Sequence, residues 1–275
     1  MEFLPDSASF HLKGTGDGLG PATRPWLHRP REVDPSGLQT PLGASDLQGV
    51  VMPVCLTQSE ATVGFEILTR GPLGSRFRFP EVYMHEAARR GVLDDMDRLC
   101  LATCVEATAA IHGSQIIFLN VFSCTLLSPG FMAWFLDLLA RHDLSRHKLV
   151  LEIHESSTVQ DLESLGMMMR TIRGAGLLIA FDDLQPGDLT PTHWRLEPDY
   201  LKIDRGVLMF LSRPQARDYL GGMVERCEHS GARLLVEGVE AREDLDFLRD
   251  LGVELAQGFY FGKPGPLVEW LRRGE

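Results

Sequence analysis

Six short apolar runs, each closed by a polar residue, constrain this chain more than any other feature. They are 115–120 (QIIFLN), 148–155 (KLVLEIHE), 176–183 (GLLIAFDD), 200–204 (YLKID), 233–240 (RLLVEGVE) and 253–258 (VELAQG). Amphipathic helical stretches separate most of them, and glycines close several of those helices, as at Gly176, Gly231 and Gly252. Continuous apolar strands alternating with helices imply a parallel sheet covered by helices. Two earlier runs, 50–56 (VVMPVCL) and 62–69 (TVGFEILT), read as strands joined by a short turn. Helical spacing of apolar residues then marks 80–91 and 93–112. Two strands followed by six fit a TIM-like (β/α)8 barrel of about 225 residues. An open doubly wound sheet is the structural alternative.

The segment ahead of these strands is different. Residues 1–47 are rich in Gly and Pro and have no strand or helix periodicity, which predicts a flexible or irregular N-terminal arm. The barrel is therefore expected over 48–275. An arm of this kind serves as a linker or as a docking segment for a protein partner. Its GTGDGLG cluster follows no strand and does not fit a dinucleotide-binding loop.

Net charge narrows the partners. At −11 the chain is a poor match for DNA or an acidic membrane surface, which need clustered Lys and Arg. No apolar run approaches the roughly 20 residues of a membrane span, and no signal peptide is evident. Five scattered cysteines, among them Cys100 and Cys104 one helical turn apart, read as reduced thiols and core packing in a cytoplasmic protein. His85 and Glu86 in MHEAAR miss the zinc-protease pattern, because Arg89 stands where the second His belongs, and they read as an exposed helix face. His142 and His147 read as a solvated loop on the opposite barrel rim.

Polar residues gather at the strand ends. They are Glu66, Asn120, Glu152, Asp182 and Asp183, Lys202, Glu237 and Gln257. From Asn120 onward they recur at about the length of one strand–helix unit, roughly 20–35 residues, so each site comes from a different strand. In a barrel the C-terminal strand ends converge on one mouth, where barrel enzymes keep their chemistry. Five carboxylates there repel one another unless cations or protons neutralise them. The oxygen-rich set suits Mg²⁺ or Mn²⁺. Two such ions bridged by an aspartate form an arrangement that attacks phosphate esters, with Lys202 and Arg70 placed to meet phosphate oxygens.

The motifs FEILTR, FLN, EIHES, FDD, LKID, VEGVE and AQGFYFGKP, in this order over about 48–275, resemble those of the EAL-domain cyclic di-GMP phosphodiesterases. The resemblance implies a barrel whose first strand is antiparallel, and hydrolysis of cyclic di-GMP to linear pGpG in bacterial signalling. It implies a two-metal site of Mg²⁺ or Mn²⁺ with Glu66, Asn120, Glu152 and Asp182 on one ion and Asp182, Asp183 and Glu237 on the other. A water between them is the implied nucleophile, oriented by Lys202, with Gln257 nearby. Arg70 and Asp204 are the implied substrate contacts. The resemblance further implies that Glu155 braces the loop after Asp183, that Glu240 supports the metal ligands, and that the face near 184–190 forms a homodimer.

Three positions depart from the family pattern. Ile67 stands for the Ala of E-A-L-x-R. Met52 stands for a Gln that helps hold the ligand. Leu184-Gln185-Pro186-Gly187 stands where D-D-F-G-x-G continues. Gly permits positive φ, whereas Pro fixes φ and removes a donor, so the loop is expected to differ in shape. Retained ligand positions favour an active phosphodiesterase. The departures keep open a weak or inactive domain that acts as a cyclic di-GMP receptor or protein-interaction module.

Overall fold

A computed structural model describes residues 40–154 and 161–271 of the 275. Of the expected arm, only residues 40–47 lie within that range, and Ala44–Asp46 form one 3-10 turn there.

Eight strands close a barrel in sequence order. They are β1 (Gln48–Leu56), β2 (Thr62–Arg70), β3 (Ile116–Phe122), β4 (Lys148–His154), β5 (Leu178–Leu184), β6 (Tyr200–Ile203), β7 (Arg233–Val236) and β8 (Leu255–Ala256). Closure excludes the open-sheet alternative. β1 is antiparallel to both of its neighbours, β2 and β8, and every other pairing is parallel. The reason lies in the connections. A short turn can return a strand only antiparallel, whereas each parallel step needs a crossover long enough for a helix.

The helices are α1 (Pro80–Arg90), α2 (Leu93–Ala109), α3 (Ser123–Leu126), α4 (Phe131–Ala140), α5 (Leu162–Gly174), α6 (Pro191–Trp194), α7 (Gly206–Phe210), α8 (Arg213–Ser230), α9 (Arg242–Asp250) and α10 (Leu267–Leu271). Pro80 starts α1, and Gly91 ends it at φ 75°, the left-handed conformation glycine takes at little cost. No helix among the described residues is long and apolar enough to cross a membrane.

Side chains alternate along each strand between two apolar layers. Val54, Phe118, Val150, Tyr200, Leu235 and Leu255 fill the barrel interior. Ile117, Leu119, Ile153, Phe181 and Leu201 face outward into the larger cluster under the helices. Cys100 and Cys104 are buried, and all five thiols are free. His147 corrects the solvated-loop expectation. It is buried, and its Nδ1 accepts the Gln115 N–H at 3.3 Å, tying the loop before β4 to the start of β3.

One charged residue interrupts the apolar face of α2. Asp97 is buried and accepts the Phe122 N–H at 2.9 Å, which ties α2 to the end of β3. Burial pushes its carboxyl up to about 6 against the pull of that hydrogen bond. Near pH 3, folded and unfolded chains both carry the proton. As pH rises toward 6 the unfolded carboxyl ionises while the folded one holds its proton, so stability falls, and above about 6 the penalty is constant. Asn mimics the protonated acid. Asp97→Asn should therefore gain stability over the parent as pH rises from 4 to 6.5, levelling at about 2–3 kcal/mol. Urea unfolding across that range checks this, and a pH-independent difference would contradict it.

Candidate functional site

Two residues beyond the inner apolar layer, the inward positions turn polar on seven of the eight strands. The step runs from Gly64 to Glu66 on β2, Phe118 to Asn120 on β3, Val150 to Glu152 on β4, Ala180 to Asp182 on β5 and Tyr200 to Lys202 on β6. It runs from Leu235 to Glu237 past β7 and from Leu255 to Gln257 past β8. The strand period of two keeps each pair on one face, so a polar floor lies directly above an apolar plug. β1 runs the other way and places Met52 in this layer, paired with Glu66.

Lys202 is the centre of that floor and is 1% exposed. Its Nζ lies 2.7 Å from Glu152, 2.8 Å from Glu237, 3.0 Å from Asp182 Oδ1 and 3.8 Å from Glu66. Glu66 is fixed from both sides, accepting from Asn120 Nδ2 at 2.8 Å and from Gln257 Nε2 at 2.7 Å. Gly258 supports that grip, because a Cβ there would lie 2.1 Å from the Val239 carbonyl oxygen.

One lysine does not neutralise four carboxylates. Burial opposes its charge, but Asp182, Glu152 and Glu237 outweigh that and hold it well above the usual lysine range. Burial raises Glu66 too, yet Lys202 and the two amide donors outweigh it and leave the carboxyl below its ordinary value. Elsewhere burial wins over Lys202. Glu152 is held well above the carboxylate range, Asp182 is raised, and Glu237 is pushed up to about 8. Without further cations the cluster holds protons.

Adjacent residues in a regular strand point to opposite faces, which would send Asp183 away from Asp182. A bulge prevents this. Phe181 pairs with Leu201 and Leu184 with Ile203, so β5 spends one residue more than β6 over the same step. Asp183 takes φ 55°, a left-handed conformation that Asp tolerates better than most residues. Both carboxylates thereby approach His154 Nδ1, Asp182 at 3.3 Å and Asp183 at 3.5 Å. Burial works against the charge of His154, but Asp182 and Asp183 outweigh it and take the imidazole up to about 9.

The divergent turn follows at once. Gln185 O accepts the Asp188 N–H at 3.2 Å, and Asp188 Oδ2 accepts the Gln185 N–H at 2.8 Å. Pro186 and Gly187, at φ 101°, occupy the two central positions, which is the chemistry of a type II turn.

Other expected residues fall as follows. Asp204 lines the cleft above the floor, and its Oδ1 accepts the Gly206 N–H at 2.7 Å. Glu240 is exposed on the cleft rim. Arg70 is turned aside: it donates to the Thr69 carbonyl at 2.9 Å, and its guanidinium lies 5.6 Å from the centre of the Phe79 ring. Glu155 lies outside the described residues. His154 and Asp97 had not been singled out. His154 was readable as the inward residue two beyond Glu152, and Asp97 as a charge on the buried stripe of an amphipathic helix.

The donor set fits divalent cations. Asn120 Oδ1, Glu152 Oε2 and Gln257 Oε1 are buried oxygens, and none has a hydrogen-bond partner among the described residues. Unsatisfied buried oxygen acceptors beside surplus carboxylates are what a hard cation replaces water to bind. The cleft over them has a volume of about 510 Å³, with Met84, Phe122 and Phe259 on its apolar walls.

The EAL-domain family model matches residues 38–264. Cyclic di-GMP phosphodiesterase PdeL of Escherichia coli (strain K12) is 23% identical over 252 residues, covering 88% of this chain and 70% of PdeL. Cyclic di-GMP phosphodiesterase NbdA of Pseudomonas aeruginosa is 26% identical over 224 residues, covering 78% of this chain and 28% of NbdA. The chain spans 31% and 28% of the first two curated relatives it matches. The manganese/cy-diGMP complex of Klebsiella pneumoniae BlrP1 matches with a TM-score of 0.70 at 22% identity, covering 82% of this chain and 57% of that one. At that identity the likeness shows the fold.

If Lys202 holds the floor together, removing its charge exposes the carboxylates to one another. Lys202→Met should cost about 3–5 kcal/mol in chelator-treated protein, with part recovered by added Mn²⁺. Guanidinium unfolding measures both, and a loss below about 1 kcal/mol would contradict this role.

Proposed function

This chain belongs to the EAL-domain family, and on that premise we propose that it hydrolyses one phosphodiester bond of cyclic di-GMP, releasing linear pGpG. The observation that carries the reading is the polar floor: seven strands deliver oxygen donors and one lysine at a single depth, with buried oxygens left unsatisfied. A cyclic dinucleotide brings two phosphodiester negative charges. An acidic floor attracts such a ligand only when cations neutralise it.

In this reading Glu66, Asn120, Glu152 and Asp182 hold one divalent ion, Mg²⁺ or Mn²⁺, and Asp182, Asp183 and Glu237 hold the second. Bound there, the ions supply positive charge to the scissile phosphate and make water more acidic. The chain's own groups do the rest. Asn120 and Gln257 lock the Glu66 carboxylate in one orientation, so it is not free to follow the substrate. Lys202, buried and fully charged, keeps an ammonium beneath the reacting phosphate and orients the attacking water. Glu237, whose carboxyl burial raises in the ion-free mouth, would give up its proton as the second ion binds. Asp204 faces the ligand from above Lys202, and Glu240 supports the rim. Arg70 reaches a phosphate by leaving Thr69 and Phe79. Met52, beside Glu66, gives van der Waals contact and no ligand hydrogen bond. A cleft of about 510 Å³ lies in the usual size range for small-molecule sites, and its apolar wall suits a purine face. The face beside residues 184–190 is assigned to pairing with a second copy.

Purified protein with cyclic di-GMP and Mg²⁺ or Mn²⁺ should accumulate pGpG, followed by chromatography. Glu66→Ala should lower the rate at least about a thousandfold while circular dichroism stays unchanged. Binding of cyclic di-GMP without turnover under either metal would replace this reading with a receptor.

A further inference from the structure

His154 belongs neither to the resembling motifs' implied ligands nor to the ion set proposed above, yet it stands among them. It lies two residues beyond Glu152 on β4, on the same inward face and one step closer to the cleft. Its Nδ1 is buried without a hydrogen-bond partner. That atom faces Asp182 Oδ2 at 3.3 Å and Asp183 Oδ2 at 3.5 Å. Two neighbouring donors on one ion, each about 2.1–2.2 Å from it, lie about 3 Å apart, so these separations approach those of a shared ligand set. One donor atom from each of the three residues lies within 4.8 Å of the others.

The two oxygens of Asp182 divide the site. Oδ1 faces Lys202 at 3.0 Å, and Oδ2 faces His154. The lysine thus serves the floor, and nothing in the ammonium's reach serves the upper corner formed by Asp182 Oδ2, Asp183 and His154. The imidazole is also oriented: its ring lies 5.7 Å from that of Phe122, tilted by 37°. The left-handed bulge at Asp183 gathers two carboxylates on one corner around the His154 ring, whose proton offsets part of their charge until a cation takes its place. It makes sense if that corner binds a cation.

We infer that His154 supplies a nitrogen donor to the ion held by Asp182 and Asp183, so that this position selects divalent first-row transition ions such as Mn²⁺, Co²⁺ or Zn²⁺ over Mg²⁺. The inference rests on the mouth being a metal centre. Imidazole suits first-row transition ions, whereas Mg²⁺ favours oxygen donors and retained water. The second ion position then differs in kind from the first, which is all oxygen.

Pulsed electron paramagnetic resonance on the full chain loaded with Mn²⁺ reads this without any turnover. The spectrum should show nitrogen coupling of imidazole type, shifting to the ¹⁵N pattern when histidine is ¹⁵N-labelled. His154→Gln should still bind Mn²⁺ but lose the coupling, and the preference for Mn²⁺ over Mg²⁺ in competition dialysis should fall about tenfold. The labelling result needs no variant, so a misfolded His154→Gln protein leaves the test standing. Bound Mn²⁺ with no nitrogen coupling, or coupling that survives in folded His154→Gln, overturns the inference and leaves the metal centre intact. No Mn²⁺ bound, or binding that persists in Asp182→Asn, overturns the metal-centre reading together with it.

Discussion

Four carboxylates from β2, β4, β5 and the end of β7 meet one ammonium from β6 inside the barrel. Each of these groups is costly to bury alone, and the pairing repays that cost only while the strands hold their register. The arrangement therefore ties the site to the closure of the barrel. It also leaves a deficit, because a single positive charge faces several negative ones. Burial answers part of the deficit by raising Glu152, Asp182 and Glu237 toward their protonated forms. The same surplus gives the mouth its capacity for cations. Structural economy and proposed chemistry thus share one cause: too much negative charge at a depth where water does not screen it.

Strand period explains how much of this could be read in advance. A polar residue two places after an inward apolar one, on strand after strand, reports the floor without any coordinates. Glu66, Asn120, Glu152, Asp182, Lys202, Glu237 and Gln257 all follow that rule and line or floor the mouth. The short turn at 57–61 suits the antiparallel first strand that the family resemblance implied. His154 keeps the same inward phase one step higher, but it follows Glu152 rather than an apolar residue. It escaped because a lone histidine beside a glutamate carries little signal until its neighbours are known.

The remainder depends on contacts that no local pattern encodes. The bulge at Asp183 exists because Leu184 pairs with Ile203 rather than slipping out of register. Arg70 shares the inward phase of Glu66 along β2, yet the Thr69 carbonyl and the Phe79 ring hold it aside. His147 sits in a loop, and only the neighbouring strand start makes it buried. α3, α6 and α7 are four or five residues long, too short to show a helical period. The Leu184-Gln185-Pro186-Gly187 departure was visible as a change of composition. Its consequence, a turn closed by Asp188 and stiffened by Pro186, follows from hydrogen bonds among the residues themselves. That turn caps the bulge, so the segment after Asp182 and Asp183 is a local, self-satisfied unit.

The account stands on the claim that surplus negative charge at the mouth is there to hold cations. Anomalous diffraction from crystals grown with Mn²⁺ tests it most directly. Two peaks are expected, one among Glu66, Asn120, Glu152 and Asp182, and one beside Asp182, Asp183 and Glu237. A mouth without anomalous density, with Lys202 alone among the carboxylates at saturating Mn²⁺, would contradict it.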